Sequence, residues 1–161
     1  MSTRVGIGFD SHPFAAGRPL RLGGIEVLHS HGLEGHSDGD ALLHAITDAI
    51  LGAAGHGSIG EHFPPGDPQW KGADSATFLG RAQDLARDRG FVIGNIDALV
   101  IGEAPKIAPH AKKIRERIAE ILGIDVDAVS VRGTSTNGLG FPGRSEGLAA
   151  MAVVLLRPQS E

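Results

Sequence analysis

Residues 36–54 read HSDGDALLHAITDAILGAA. From Asp40 onward, Leu42, Leu43, Ala45, Ile46, Ala49, Ile50 and Ala53 recur at the spacing of a helix face, and Ser37 and Asp38 are available to cap the start. The spacing predicts a helix over 40–54. Along this otherwise apolar segment Asp40, His44 and Asp48 form one polar line at i, i+4, i+8. That line is either a half-exposed helix face or part of a site.

Upstream, Val5, Ile7 and Phe9 alternate with Gly6, Gly8 and Asp10, which predicts a strand with glycine on one face. Leu20, Leu22, Ile25 and Val27 flank Gly23-Gly24 as a strand pair around a turn, and 29–39 reads as a loop. Downstream, 55–73 carries so much Gly and Pro that no regular element is expected. A second helix follows over 75–89, with Phe78, Leu79, Ala82, Leu85 and Ala86 inward and Gly90 as its stop. A strand is expected over 91–101. Pro109 opens a third helix with Ile114, Ile118, Ile121 and Leu122 inward, closed by Gly123, and strands at 128–133 and 148–157 complete the chain. The order predicts a single α+β domain over 1–161: a mixed, mostly antiparallel sheet with three main helices on one face.

Composition narrows the chemistry. A chain of 161 residues can bury roughly 70% of its unfolded surface without staples. With no cysteine, thiolate nucleophiles, Cys-held zinc and iron–sulfur clusters are excluded, so any metal is held by His, Asp or Glu. A net charge of −4 speaks against nucleic-acid binding. No run approaches the ~18 apolar residues of a membrane span, and MSTRVGIGFD lacks the apolar core of a signal peptide, so a cytoplasmic protein with no membrane partner is expected. With Phe 6, Trp 1 and Tyr 0, the core must be aliphatic, and burial against neighbouring subunits would help so small a sheet. Seven of the eight histidines fall within residues 1–62, where an even scatter would leave about three, so metal or proton chemistry is sought at this end.

Asp10 and His12, at i and i+2 at the end of the first strand, project from one face and can reach one ion; the alternative is a turn-capping Asp10 and a loop-exposed His12. His44 would complete an Asp-His-His set that leaves a fourth tetrahedral position open, as catalytic zinc requires. Asp48 is placed to hold the His44 ring. The 36–40 segment meets the positive end of the helix, suited to an anion or to capping alone. Thr134, Ser135, Thr136 and Asn137 form a hydroxyl-rich turn that suits phosphate oxygens. His29, His31 and His56 read as solvated loop residues, His62 as a lid contact within the 55–73 loop, and His110 as the start of the third helix.

The runs GFDSHPF (8–14), HSDGDALLHAITDAILGAAGHGSIGEHFP (36–64), GADS (72–75), APKIAPH (104–110) and TSTNGLGFPGRSEG (134–147) resemble, in order and at fitting spacings, the 2-C-methyl-D-erythritol 2,4-cyclodiphosphate synthase family. The resemblance covers nearly the whole chain. It implies a phosphorus–oxygen lyase that converts 4-diphosphocytidyl-2-C-methyl-D-erythritol 2-phosphate to the cyclic diphosphate and CMP, in the non-mevalonate route to isoprenoids. It implies a homotrimer with sheets facing the three-fold axis and active sites between subunits. Zinc would be held by Asp10, His12 and His44, with a second divalent cation, Mg2+ or Mn2+, across the diphosphate. His36 and Ser135 would stabilise the transition state.

For the substrate, the resemblance implies Ser37 and Asp48 beside the metal, and Ser58, Ile59 and Gly60 with Phe63, Pro64, Pro65, Gly66 and Asp67 at the methylerythritol end. That loop would act as a lid. Gly102, Glu103, Ala104, Pro105, Lys106, Ile107 and Ala108 would meet the cytidine diphosphate moiety, and Thr134, Thr136 and Asn137 its phosphates. Phe141 and Arg144 match positions near the trimer axis, where some members accept an isoprenoid diphosphate. Three departures matter. Ser58 and Asn137 stand where the family has acidic residues, and Phe-Pro-Asp here reads Phe63-Pro64-Pro65. Asn137 offers a carbonyl oxygen without charge, which would weaken the second cation's hold. Two other readings stay open: a zinc phosphohydrolase, and a trimeric metal- or isoprenoid-binding protein with reduced activity.

Overall fold

The computed structural model describes residues 1–160. Five strands form one mixed sheet in the order β4-β1-β7-β5-β6. They are β1 (Arg4–Ala15), β4 (Gly32–Leu33), β5 (Phe91–Ile101), β6 (Val129–Thr134) and β7 (Gly147–Pro158). Only β5 and β6 pair in parallel; β1 with β4, β1 with β7 and β5 with β7 are antiparallel. β2 (Leu20–Leu22) and β3 (Ile25–Val27) make a separate hairpin around Gly23-Gly24, whose φ angles of +65° and +79° are those glycine adopts at no steric cost. The α+β fold and the mixed sheet agree with the sequence.

Three long helices cover one face: α1 (Ala41–Ala54) lies across β1 and β7, α3 (Ser75–Asp88) against α1 and β5, and α4 (Ala111–Leu122) against β6 and α3. Their aliphatic stripes and the inward residues of the sheet form a single core. The glycine face of β1 is the buried one. Gly6 and Gly8 let α1 settle onto the strand so closely that a Cβ on Gly8 would stand 1.9 Å from Ala45 O and one on Gly6 2.0 Å from Ala49 O. The other face of the same strand is open, with Val5 and Ile7 each 65% and Phe9 51% exposed.

Several local expectations need correction. β1 runs to Ala15, so Asp10 and His12 sit inside the strand, paired with Ala150 and Leu148 of β7, rather than at its end. Within 29–39, Gly32 and Leu33 add a short edge strand to β1. The cap of α1 is Asp40, not Ser37 or Asp38. This fully buried carboxylate accepts the Leu43, Gly23 and Gly24 N–H groups at 3.0, 2.9 and 2.7 Å, tying the β2–β3 turn to α1.

The Gly/Pro-rich segment is not without structure. It holds α2 (Ile59–His62) and a 3-10 turn at Pro68–Trp70. Ser58-Ile59-Gly60-Glu61 is an S-x-x-E capping box, a signal present in the sequence and masked by its surroundings. α4 begins at Ala111, two residues after Pro109, and α5 (Gly140–Gly143) and a 3-10 turn at Val126–Ala128 were not expected. Leu85 is only half-buried. Among the described residues no helix is long and apolar enough to cross a membrane.

Candidate metal centre and adjoining cavities

The close seat of α1 on β1 delivers His44 to the two strand residues. Asp10 Oδ2 lies 2.6 Å from His12 Nε2 and 3.0 Å from His44 Nδ1, and the two ring nitrogens are 3.3 Å apart. All three ligand-capable atoms fall within 4.8 Å of one another. Zinc bonded at about 2.0–2.1 Å to N and O spaces its ligands by about 3.3 Å, so the two imidazoles already stand at that separation, while Asp10 is about 0.7 Å too near His12 and about 0.3 Å too near His44 and would have to move outward.

The opposite ring nitrogens are also engaged. His12 Nδ1 lies 2.7 Å from Glu34 O, a carbonyl that only accepts, so this nitrogen carries a proton; Nε2 faces Asp10 Oδ2 and either donates a second proton to it or offers its lone pair to a cation. A carboxylate and at least one imidazole lone pair thus converge on a point that needs positive charge, either a proton or a metal. Burial by itself raises the Asp10 carboxyl, but hydrogen bonds from His12 and His44 and the charge of both rings outweigh it and hold Asp10 down at about 2. Burial likewise lowers His12, and the hydrogen bond and charge of Asp10 reverse this and raise it. The residues fit a divalent cation.

Asp48 does not hold the His44 ring. Its Oδ1 accepts the Ile59 N–H at 2.9 Å, fastening α2 to α1, while His44 Nε2 meets Ser75 Oγ at 2.7 Å and Ser37 Oγ at 3.2 Å. His12 and His44 border a cavity of ≈ 190 Å3 lined also by His36, Ser37, Ile59, Gly60, Phe63, Pro65, Trp70 and Phe78. Phe63 stacks on Phe78 at 4.4 Å between centroids, and Trp70 stands edge-on to both at 5.2 and 5.5 Å. Trp70 went unread in the sequence, although a lone tryptophan within a Gly/Pro-rich loop is a signal of burial by function or packing.

Other members of the 55–73 segment face elsewhere. Ser58 N–H and Oγ both turn to Glu61, at 2.6 and 3.3 Å. Asp67 Oδ1 caps the Gln69 N–H at 3.1 Å, while its carbonyl lies 2.7 Å from His36 Nε2. Pro64 and Gly66 are exposed and do not line the cavity. His56 is half-buried, not solvated: its Nε2 donates to Leu85 O at 3.1 Å, and His62 Nε2 donates to His56 O at 2.7 Å.

A second cavity, of ≈ 260 Å3, lies where β5 and β6 end. Gly102, Pro105, Lys106, Ile107, Ala108, Thr134 and Ser135 line it, joined by Val100, Gly133 and Leu148. It shares no lining residue with the metal-side cavity, so His36 and Ser135 are not brought together within one chain. Glu103 and Ala104 stand outside it, Glu103 Oε1 accepting the Gly138 N–H at 3.4 Å. Thr136 Oγ1 donates to Leu139 O, and Asn137, at φ 55°, accepts from Ser135 Oγ at 3.4 Å. Phe141 borders a further hollow with Ser11, Pro13 and Glu146, and Arg144 pairs with Glu146 at 2.9 Å.

An α+β sheet with an Asp-His-His centre opening on an apolar cavity defines a candidate metal-dependent enzyme. The chain belongs to the YgbB family, whose model matches residues 3–157. It is 56% identical over 153 residues to the 2-C-methyl-D-erythritol 2,4-cyclodiphosphate synthase of Xanthomonas campestris pv. campestris, covering 95% of this chain and 94% of that protein. It is 58% identical to the bifunctional enzyme IspD/IspF of Hyphomonas neptunium, covering 97% of this chain and 41% of that one, so it spans about two-fifths of such two-part relatives. Among solved structures, IspF of Plasmodium falciparum in complex with CDP superposes with a TM-score of 0.87 at 35% identity, covering 99% of this chain and 98% of the other.

Proposed function

We propose that this chain is a cytoplasmic 2-C-methyl-D-erythritol 2,4-cyclodiphosphate synthase formed by a single domain over 1–161, converting 4-diphosphocytidyl-2-C-methyl-D-erythritol 2-phosphate to the cyclic diphosphate with release of CMP. The observation that carries it is the convergence of Asp10, His12 and His44 on one cation site beside the cavity that His36 and Ser37 border. In this reading Asp10, His12 and His44 would hold zinc, which when bound would supply Lewis acidity toward the β-phosphate.

The nucleophile is the substrate's own 2-phosphate, so the protein supplies no strong base. Its task is to hold two anions together. His36 Nε2, turned to the Asp67 carbonyl, and the Ser135 hydroxyl are donors for charge that develops on the phosphoryl oxygens. Thr134, Thr136 and Lys106 would hold the diphosphate and Pro105 to Ala108 the cytidine, in the second cavity. The apolar wall of Phe63, Trp70 and Phe78 would keep water from the reacting groups. Asn137 would help hold a second divalent cation, Mg2+ or Mn2+, which would supply positive charge against the diphosphate. Alignment of both phosphates makes attack an oriented intramolecular step.

Because His36 and Ser135 border separate cavities, the active site would be completed by a neighbouring copy. The open face of Val5, Ile7, Phe9 and Val153 supports a homotrimer with its sheets toward the three-fold axis. Phe141 and Arg144 would then approach a central cavity suited to an isoprenoid diphosphate, whose anion would compete with Glu146 for Arg144.

The test is CMP release by the purified protein with zinc and magnesium, read alongside 31P NMR of the product. Equimolar CMP and cyclic diphosphate are expected, and His44→Ala should lower turnover at least about 100-fold while the fold is retained. A linear phosphate product would instead identify a phosphohydrolase, and no turnover at all a binding protein.

A further inference from the structure

The metal-facing side of His44 is set from behind. Ser75, the first residue of α3 and fully buried, presents Oγ to His44 Nε2 at 2.7 Å. The same hydroxyl donates to Asp38 Oδ1 at 2.5 Å, and the Ser75 N–H donates to Asp38 Oδ2 at 3.0 Å, so both carboxylate oxygens reach Ser75, while Oδ1 also accepts the Asp40 N–H at 3.0 Å. A carboxylate only accepts, so the single hydroxyl proton of Ser75 is committed to Asp38. What Oγ has left for His44 is a lone pair. Nε2 of His44 must therefore carry the proton, which leaves the Nδ1 lone pair facing the position that Asp10 and His12 share.

Helix capping does not account for this arrangement. Asp74 is the N-cap of α3 and already accepts the Ala76 N–H at 2.9 Å. A serine at the first helical position ordinarily turns its hydroxyl to water, whereas this one is buried between a carboxylate and an imidazole. Ser75 comes to the other two from a separate part of the chain, 31 residues from His44 and 37 from Asp38.

We propose that Asp38 and Ser75 form a positioning relay that fixes the tautomer and ring angle of His44 and thereby sets the metal affinity of the centre. Neither residue touches the cation or the substrate. The proposal rests on the metal-centre reading above. It also gives the 55–73 segment a mechanical link to that centre. Asp38 N–H donates to Ala73 O at 3.0 Å and Gly72 N–H to His36 O at 2.7 Å, so the loop carrying His36 is laced to the strand of chain that ends at Ser75.

The test is zinc affinity by chelator competition for the wild type, Ser75→Ala and Asp38→Asn, with metal-free thermal melting of each and 15N spectra of the zinc-loaded histidines. Loss of such an outer hydrogen-bond partner ordinarily weakens metal binding about 10–100-fold, and that drop is expected in both variants. The wild-type spectrum should show His44 coordinated through Nδ1 with a protonated Nε2. Zinc affinity within twofold of wild type in folded Ser75→Ala, or an unprotonated Nε2 in the wild type, would overturn the relay. A lowered melting point at unchanged affinity would do the same, since it marks a purely structural role. If Ser75→Ala does not fold, Asp38→Asn and the wild-type spectrum decide. Failure of the wild type to bind one zinc per chain would instead overturn the metal centre itself.

Discussion

Gly8 lies directly beneath Ala45, with room for no side chain: a Cβ on the strand would come within 1.9 Å of the helix carbonyl. Gly8→Ala should therefore lift α1 off β1. Overpacking of this kind costs roughly 1–3 kcal/mol, and the upper end applies because the obstruction is backbone and cannot rotate away. His44 rides on the same helix, so zinc binding should fall with stability. Thermal melting and a zinc titration check the two effects together; a variant that melts normally and binds zinc normally would contradict the close seat.

In the metal-free protein the Asp10–His12 pair makes stability depend on pH in two directions. The Asp10 carboxyl is lowered from 3.8 to about 2, so its contribution is present above pH 3.8 and is lost as pH falls through 2; the drop corresponds to about 2 kcal/mol. His12 is raised above 6.5, so its contribution is present below 6.5 and is lost as pH rises through the raised value. The pair should stabilise the fold most between these limits. Urea unfolding across pH 3–9 should show that plateau, and Asp10→Asn should flatten it. Zinc affinity should run the opposite way below the His12 value, because protons compete for the ligand nitrogens.

Asn137 adopts φ 55°, a left-handed conformation that asparagine tolerates better than most residues. Asn137→Glu would restore a carboxylate at a cost of roughly 1 kcal/mol in backbone strain. In an active synthase it should lower the magnesium concentration needed for half-maximal CMP release, and Ser58→Asp should act on KM more than on kcat. Activity that rises from nothing in the double variant would instead mark the natural chain as an inactive binder.

Ile7→Asp places a charge on the open face of β1 without touching α1. Sedimentation should show a trimer for the wild type and smaller species for the variant, with CMP release falling in parallel, since each site would lose its neighbour's contribution. Metal-free monomer folding should survive. A wild type that sediments as a monomer with full activity would remove the subunit-bridging site.

What the sequence revealed, and what it withheld, follows from range. Helices α1, α3 and α4, the β2–β3 turn and the Asp-His-His set were legible because periodicity, glycine stops and i, i+2 or i, i+4 spacings are local. The alternation in β1 announced a strand but not that its glycine face is the buried one, because that depends on how near α1 can come. The partner of His44 was misread as Asp48 for the same reason: helical spacing put Asp48 nearby, while the actual partner arrives from α3, 31 residues away. Composition misled at 55–73, where Gly and Pro concealed the Ser58–Glu61 box.

Strand β1 has, in effect, a reading frame. Gly6, Gly8, Asp10 and His12 share one side, and Val5, Ile7 and Phe9 the other. Substitutions can alter one side and leave the other intact. Insertion or deletion of a single residue cannot, because it exchanges the two sides over the rest of the strand. Asp10 and His12 would turn outward together, and branched side chains would be driven under α1 where not even a methyl fits. Changes of length in this part of the chain are therefore confined to the residues before Arg4 and to the turn over 16–19.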